Sequence, residues 1–207
     1  MDYLPHLLTV AGVMLLACIS PGPDLLAVTS HALTRRDSGL GVATGIAVSH
    51  TIWAALAILG MGVIVAQLGW LYGVIRIAGA GYLIYLGGKM LMGARKPATQ
   101  TVIKHATVRS PSASLRVGLL VGLTNPKAAV FFGSLFVTIL PLHAPLWVHG
   151  ATLGIVGGVS AIWFYSMAAL FSTGRVQQGY NRIRRPVDAV MGGLLVALGV
   201  KLLFDKT

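Results

Sequence analysis

Residues 4–33 read LPHLLTVAGVMLLACISPGPDLLAVTSHAL. The run is apolar at both ends and interrupted near its middle by Ser20-Pro21-Gly22-Pro23-Asp24. A hydrocarbon layer about 30 Å thick is crossed by about 20 apolar residues in helical conformation, so this stretch is too long for one straight crossing. Two prolines and a glycine in five residues remove helical hydrogen bonds. The stretch therefore reads as helix, break, helix. Thr124-Asn125-Pro126-Lys127 interrupts a later apolar run in the same way. Gly22 and Asn125 suit the N-cap position, and Pro23 and Pro126 the first helical position. Each break would open a half-helix near the bilayer midplane, its free N–H groups and positive dipole end turned inward. Backbone freed at that depth is tolerated only where it is buried in protein or lines a cavity. Two structural kinks without a ligand are the competing reading. The equivalence of the two breaks, each followed by an ionisable residue, favours a site for a substrate carboxylate.

The rest of the chain agrees with a membrane environment. Its 207 residues are 56% hydrophobic and 10% charged, with a mean hydropathy of +0.80, whereas a soluble domain carries about 25% charged residues. Six spans follow, over residues 4–33, 39–66, 70–93, 115–140, 146–172 and 186–204. The net charge of +11 would suggest nucleic acid in a soluble protein. Here the basic residues fall in alternate loops: Arg35 and Arg36; Arg95, Lys96, Lys104, Arg109 and Arg116; Arg175, Arg182, Arg184 and Arg185. That pattern excludes a nucleic-acid partner and predicts contact with anionic lipid headgroups. It places loops 1–2, 3–4 and 5–6 in the cytoplasm and both termini outside. A re-entrant first span would move the N-terminus inside. Leu15-Leu16-Ala17-Cys18 resembles a lipoprotein cleavage site but lacks a basic segment before it, so Cys18 is expected inside a retained helix.

The sequence also repeats itself. Residues 81–89 (GYLIYLGGK) match residues 193–201 (GLLVALGVK), Ile52-Trp53 matches Ile162-Trp163, and Gly22-Pro23-Asp24 matches Asn125-Pro126-Lys127. The order is the same in both halves. The fold class expected is all-α: an integral membrane bundle of six transmembrane helices, built as two three-helix repeats with broken first helices. Residues 1–93 form the first repeat, 94–114 a basic connector, and 115–207 the second. Three helices being an odd number, the second repeat is inverted, as in many secondary transporters.

Asp24 and Lys127 are the charges at the breaks. A lone charge at mid-bilayer costs about 2.5 kcal/mol or more, so both need a partner or water. Asp24 is expected to hold a substrate ammonium or a proton with Lys127 balancing it, or else the two form a structural ion pair. His50, inside the second span, is a proton-relay candidate beside its plainer role as a hydrogen-bonded core residue. Arg76 reads as snorkelling to the outer interface, with carboxylate binding as its alternative. Asp188 reads as an interfacial partner of Arg184 and Arg185. The other histidines form no metal spacing, and no metal or cofactor is expected. Glycines four apart (Gly41/Gly45, Gly69/Gly73, Gly118/Gly122, Gly150/Gly154/Gly158) mark close helix packing. Without a Walker loop or a GxGxxG after a strand, ATP-driven transport is disfavoured.

Ser20-Pro-Gly-Pro-Asp24 early in the chain, with Thr124-Asn-Pro-Lys-Ala128 opening the second half, resembles the LysE/RhtB family of amino-acid exporters. The likeness covers nearly the whole chain, and residues 125–134 (NPKAAVFFGS) look most like the threonine and homoserine efflux branch. The resemblance implies export of amino acids through the bacterial inner membrane, coupled to the proton gradient as an antiport; family members handle basic, small polar or branched amino acids, and the expected substrates here are small zwitterions. It carries substrate binding to Pro21, Gly22, Pro23, Asp24, Asn125, Pro126 and Lys127. The expected partners are an amino acid, protons and lipids, with a homodimer left open. A channel or metal-ion efflux protein is the alternative, although the chain has few intramembrane acids for one. A membrane enzyme using Asp24, Lys127 and His50 lacks any recognised catalytic spacing.

Overall fold

The interruption at residues 20–22 divides the first apolar run into two helices in the computed structural model, which describes residues 3–20, 22–67, 69–95, 110–139, 144–172 and 175–204. Helix α1 spans Leu4–Ile19 and α2 spans Pro23–Thr34; α3 follows over Arg36–Gln67 and α4 over Gly69–Arg95. The second half contains α5 (Pro111–Thr124), α6 (Pro126–Ile139), α7 (Leu146–Phe171) and α8 (Arg175–Phe204). No strand occurs among the described residues.

The α1–α2 pair is bent by 59° and the α5–α6 pair by 55° at their breaks. Helices α3 and α7 are each long and apolar enough to cross a membrane, and each bent pair, counted as one span, raises the total to four. The remaining two expected spans fall on α4 and α8, long helices that pack against one another but are not among the candidate spans found in the described residues. Helix α8 begins well before residue 186, so Pro186 lies inside it rather than at its start. The apolar run begins at residue 186, whereas the helix already includes the polar residues 175–185. Of the connector expected at 94–114, residues 96–109 lie outside the described residues, as do Pro21, His105 and His143.

Small residues decide which helices touch. A Cβ on Gly41 would stand 2.8 Å from the carbonyl oxygen of Pro111. One on Gly45 would collide with the Leu115 carbonyl, one on Gly118 with that of Val42, and one on Gly122 with the Ser49 hydroxyl. Backbone approach of this kind is what glycines four apart permit, and it seats α5 on α3. Helices α4 and α8 meet likewise: a Cβ on Gly87 would lie 2.5 Å from the Gly192 oxygen, and one on Gly199 2.8 Å from the Ala80 oxygen. The run Gly150, Gly154 and Gly158 faces open space instead, and α7 meets α3 through Gly157 beside Thr51.

The core gathers Met14 of α1, Val28 of α2, Ile46 of α3, Phe132 of α6 and Phe164 of α7. Around it, Leu56, Leu59, Leu120 and Ile162 are exposed. Apolar side chains turned outward in such numbers suit acyl chains rather than water.

Candidate functional site

The two breaks meet in the interior. Helix α6 resumes as its sequence predicts: Asn125 is the N-cap, its Oδ1 accepting from the Lys127 amide at 3.0 Å, and Pro126 holds the first position. The same Asn125 side chain turns its Nδ2 to the first break, donating to Asp24 Oδ2 at 2.9 Å. Helix α2 resumes with Gly22 as N-cap and Pro23 first, without a side-chain cap. One amide side chain thus closes the second helix end and binds the acid of the first.

Asp24 Oδ2 has a second partner. His50 Nε2 from α3 lies 3.3 Å away, with side-chain exposures of 6% for His50 and 14% for Asp24. The other carboxylate oxygen, Oδ1, is buried without a hydrogen-bond partner among the described residues. A carboxylate oxygen left in that condition is costly, so this edge of Asp24 is ready for a cation or a donor. The imidazole is held between aromatic rings, with centroid distances of 5.5 Å to Phe132 and 5.9 Å to Phe164.

Lys127 takes a different course from the direct ion pair envisaged with Asp24. Its ammonium donates to the Ser20 hydroxyl at 2.8 Å and to the Ser20 carbonyl at 3.2 Å. Ser20 ends α1, so the base of the second break clasps the backbone of the first. The carbonyl of Ser20 lies at the C-cap of α1, where the helix ends, and Lys127 donates to it. Gly22 is also beside Lys127: a Cβ there would sit 3.6 Å from Nζ.

These groups line one narrow cavity with Met14, Cys18, Phe131 and Phe164 among its walls. As it stands, its free space suits about one or two water molecules. Gly22, Asp24, His50, Asn125 and Lys127 all contribute to the lining. Pro23 and Pro126 are exposed and stand outside it; they create the breaks without facing the cavity. Asp188 is buried within α8 at 7% exposure, and the side chains of its expected partners Arg184 and Arg185 lie outside the described residues. Arg76 falls in α4, and its side chain lies outside the described residues. No grouping of three or more His, Cys, Asp or Glu able to hold a metal occurs among the described residues.

Two side chains outside the cavity lining bond to its parts and were not among the expected site residues. Trp53 Nε1 donates to the Gly122 carbonyl at 3.2 Å. That carbonyl would be bonded by residue 126 in an unbroken helix, and residue 126 is a proline without an N–H. Ser160 of α7, fully buried, places its Oγ 3.0 Å from His50 Nδ1. The signal for Ser160 was present in the repeat: it stands three residues before Trp163, as His50 stands three before Trp53.

Comparison with known proteins gives a concordant result. The family model described as LysE type translocator matches residues 15–206. The threonine efflux protein of Escherichia coli (strain K12) is 31% identical over 202 residues, covering 96% of this chain and 98% of its own. The threonine efflux protein of Salmonella typhi is also 31% identical, over 201 residues, with 96% and 97% covered. The leucine efflux protein of Salmonella choleraesuis is 29% identical over 196 residues, covering 88% of this chain and 87% of its own. No solved structure matches. Translocators and efflux proteins are transporters, not enzymes.

Proposed function

We infer that this chain, which belongs to the LysE-type translocator family, exports amino acids, and that its substrates are small zwitterions of the threonine and homoserine kind. The observation that carries this reading is the meeting of both helix breaks around one cavity, with Asp24 and Lys127 on its wall. A zwitterion presents one cation and one anion, and the wall offers one of each. The ammonium goes to the open Oδ1 edge of Asp24. The carboxylate goes to Lys127, whose position in the first turn of α6 adds its charge to the positive end of that helix. Asp24 at the start of α2 reverses the charge there, so the two breaks divide the substrate between them. To receive its carboxylate, Lys127 releases Ser20. The cavity is water-sized, so substrate entry requires the two half-helices to part.

Alternating access follows from two inverted repeats within six spans. Support comes from the packing: Gly87 meets Gly192 just before the second matched motif, and Gly199 meets Ala80 just before the first. The same contact is made twice with the partners exchanged, as a two-fold axis requires. Helix α3 packs on α5 and α7 on α1, again as exchanged pairs. The basic loops then lie in the cytoplasm of a bacterial inner-membrane protein. Coupling is to protons through Asp24 and His50, which share one hydrogen bond in the interior.

Counterflow of a labelled amino-acid panel in proteoliposomes, with and without a pH gradient, tests the function. Threonine and homoserine are expected to exchange, and an inward-acid gradient to accelerate their movement. Failure of every amino acid to exchange, in protein that inserts normally, would overturn export. Asp24→Asn is expected to reduce exchange by about 10-fold or more through loss of the charge facing the ammonium; full-rate exchange would remove Asp24 from the mechanism.

A further inference from the structure

Both ring nitrogens of His50 are engaged, and by different chemistry. Nε2 faces Asp24 Oδ2 at 3.3 Å, and Nδ1 faces Ser160 Oγ at 3.0 Å. Ser160 in turn has the Cys18 sulfur 3.9 Å away. The chain therefore runs from α2 through α3 and α7 to α1, through residues that are all largely buried. An ionised carboxylate only accepts, so the Nε2 hydrogen belongs on His50. In neutral His50, Nδ1 is then the acceptor and the Ser160 hydroxyl donates to it.

We propose that Ser160 is a positioning residue for proton binding at His50: its hydroxyl turns from donor to acceptor when His50 takes up a proton, and Cys18 receives the hydroxyl hydrogen that is released from the ring. This inference rests on the reading of proton coupling given above. The change balances simply. Neutral His50 and one proton from water become imidazolium, with Nδ1–H now donating to Ser160 Oγ. The hydroxyl hydrogen rotates from Nδ1 toward the Cys18 sulfur, a weak acceptor. No covalent bond of Ser160 or Cys18 is broken. A hydroxyl is suited to this position because it can serve either protonation state with a rotation about one bond. An amide or carboxylate there would favour one state.

The location adds a mechanical reason. Ser160 and His50 hold equivalent places in the two repeats, so their contact spans the seam between the halves. Movement of one repeat against the other would open or close the bond between Nδ1 and Ser160, and so alter proton affinity at His50 with conformation. Among the described residues, the other titratable or charged groups that line the same cavity as His50 are Asp24 from α2, Cys18 from α1 and Lys127 from α6.

The test compares wild type, Ser160→Ala and Ser160→Thr in proteoliposomes, following counterflow and gradient-driven export across pH. Removing the hydroxyl leaves a charged Nδ1–H donor without an acceptor, which is worse than leaving a neutral lone pair unpaired. Ser160→Ala is therefore expected to move the pH midpoint of export downward by about one unit, while counterflow at saturating substrate stays within about two-fold. Ser160→Thr retains the hydroxyl and is expected to restore the wild-type midpoint. Nitrogen NMR of imidazole-labelled protein, with His50→Gln assigning the signal, reads the tautomer and titration of His50 directly. A His50 titration unchanged in Ser160→Ala would overturn the proposal. Wild-type export indifferent to pH, with His50 still titrating lower in Ser160→Ala, would instead sink proton coupling and leave the positioning role standing.

Discussion

The break between α1 and α2 and the break between α5 and α6 both resume on a proline, but their freed backbone groups are treated differently. At the second break, Asn125 caps the new helix, and Trp53 donates to the Gly122 carbonyl, which the Asn125 amide also reaches at 3.4 Å. At the first, Gly22 offers no side-chain cap. Trp163, which matches Trp53 in the repeat, has its indole N–H buried without a partner among the described residues. What holds the first break comes from other elements: Lys127 and Asn125 reach across from the second break to Ser20 and Asp24, and His50 adds a bond from α3. The second break is thus closed by its own cap, and the first is held by side chains that reach it from outside. Matching sequence positions need not carry matching hydrogen bonds.

The comparison can be broken most sharply at Asn125. Asn125→Ala removes a cap worth about 1 kcal/mol and a hydrogen bond to a carboxylate worth about 1.5–3 kcal/mol. A clear drop in the thermal unfolding midpoint of detergent-solubilised protein is expected; an unchanged midpoint would mean the second break is held no better than the first.

The two tryptophans sharpen it at smaller scale. Trp53→Phe loses the donor to Gly122 and is expected to destabilise by about 1 kcal/mol. Trp163→Phe deletes a donor that has no partner, and is expected to be neutral or slightly stabilising by the same measurement. Equal losses from both would contradict the asymmetry. Smallest is Gly22→Ser, which supplies the missing cap at a position where a Cβ meets Lys127 at ordinary contact distance. Since glycine is only a few tenths of a kcal/mol poorer than serine as an N-cap, a gain of about that size is expected, together with slower exchange as the first break stiffens. Exchange at the wild-type rate would argue that this break does not move.

Much of this architecture could be read along the chain. Apolar runs and alternate basic loops reported a membrane protein because lipid rewards composition directly. Proline and glycine reported the breaks because they act on their own backbone, and Asn125 reported its capping role because a cap bonds two residues away. The residues 175–185 were not read as helix because polarity marks the end of lipid contact, and a helix can continue beyond it. Prolines 23 and 126 were counted among binding residues because they belong to the motifs, although their rings face outward.

The sequence by itself determined where the helices stop, which residues restart them, and which charges lie beside the breaks. Those are matters of neighbours along the chain, governed by missing amide hydrogens and local caps. Only the tertiary structure decided that Lys127 bonds Ser20 while Asp24 takes His50 and Asn125, and that Ser160 closes the far side of the imidazole. Such partnerships depend on how each helix is rotated about its axis and how closely glycines let it approach its neighbour. These quantities are set by packing between distant segments, and no local pattern carries them.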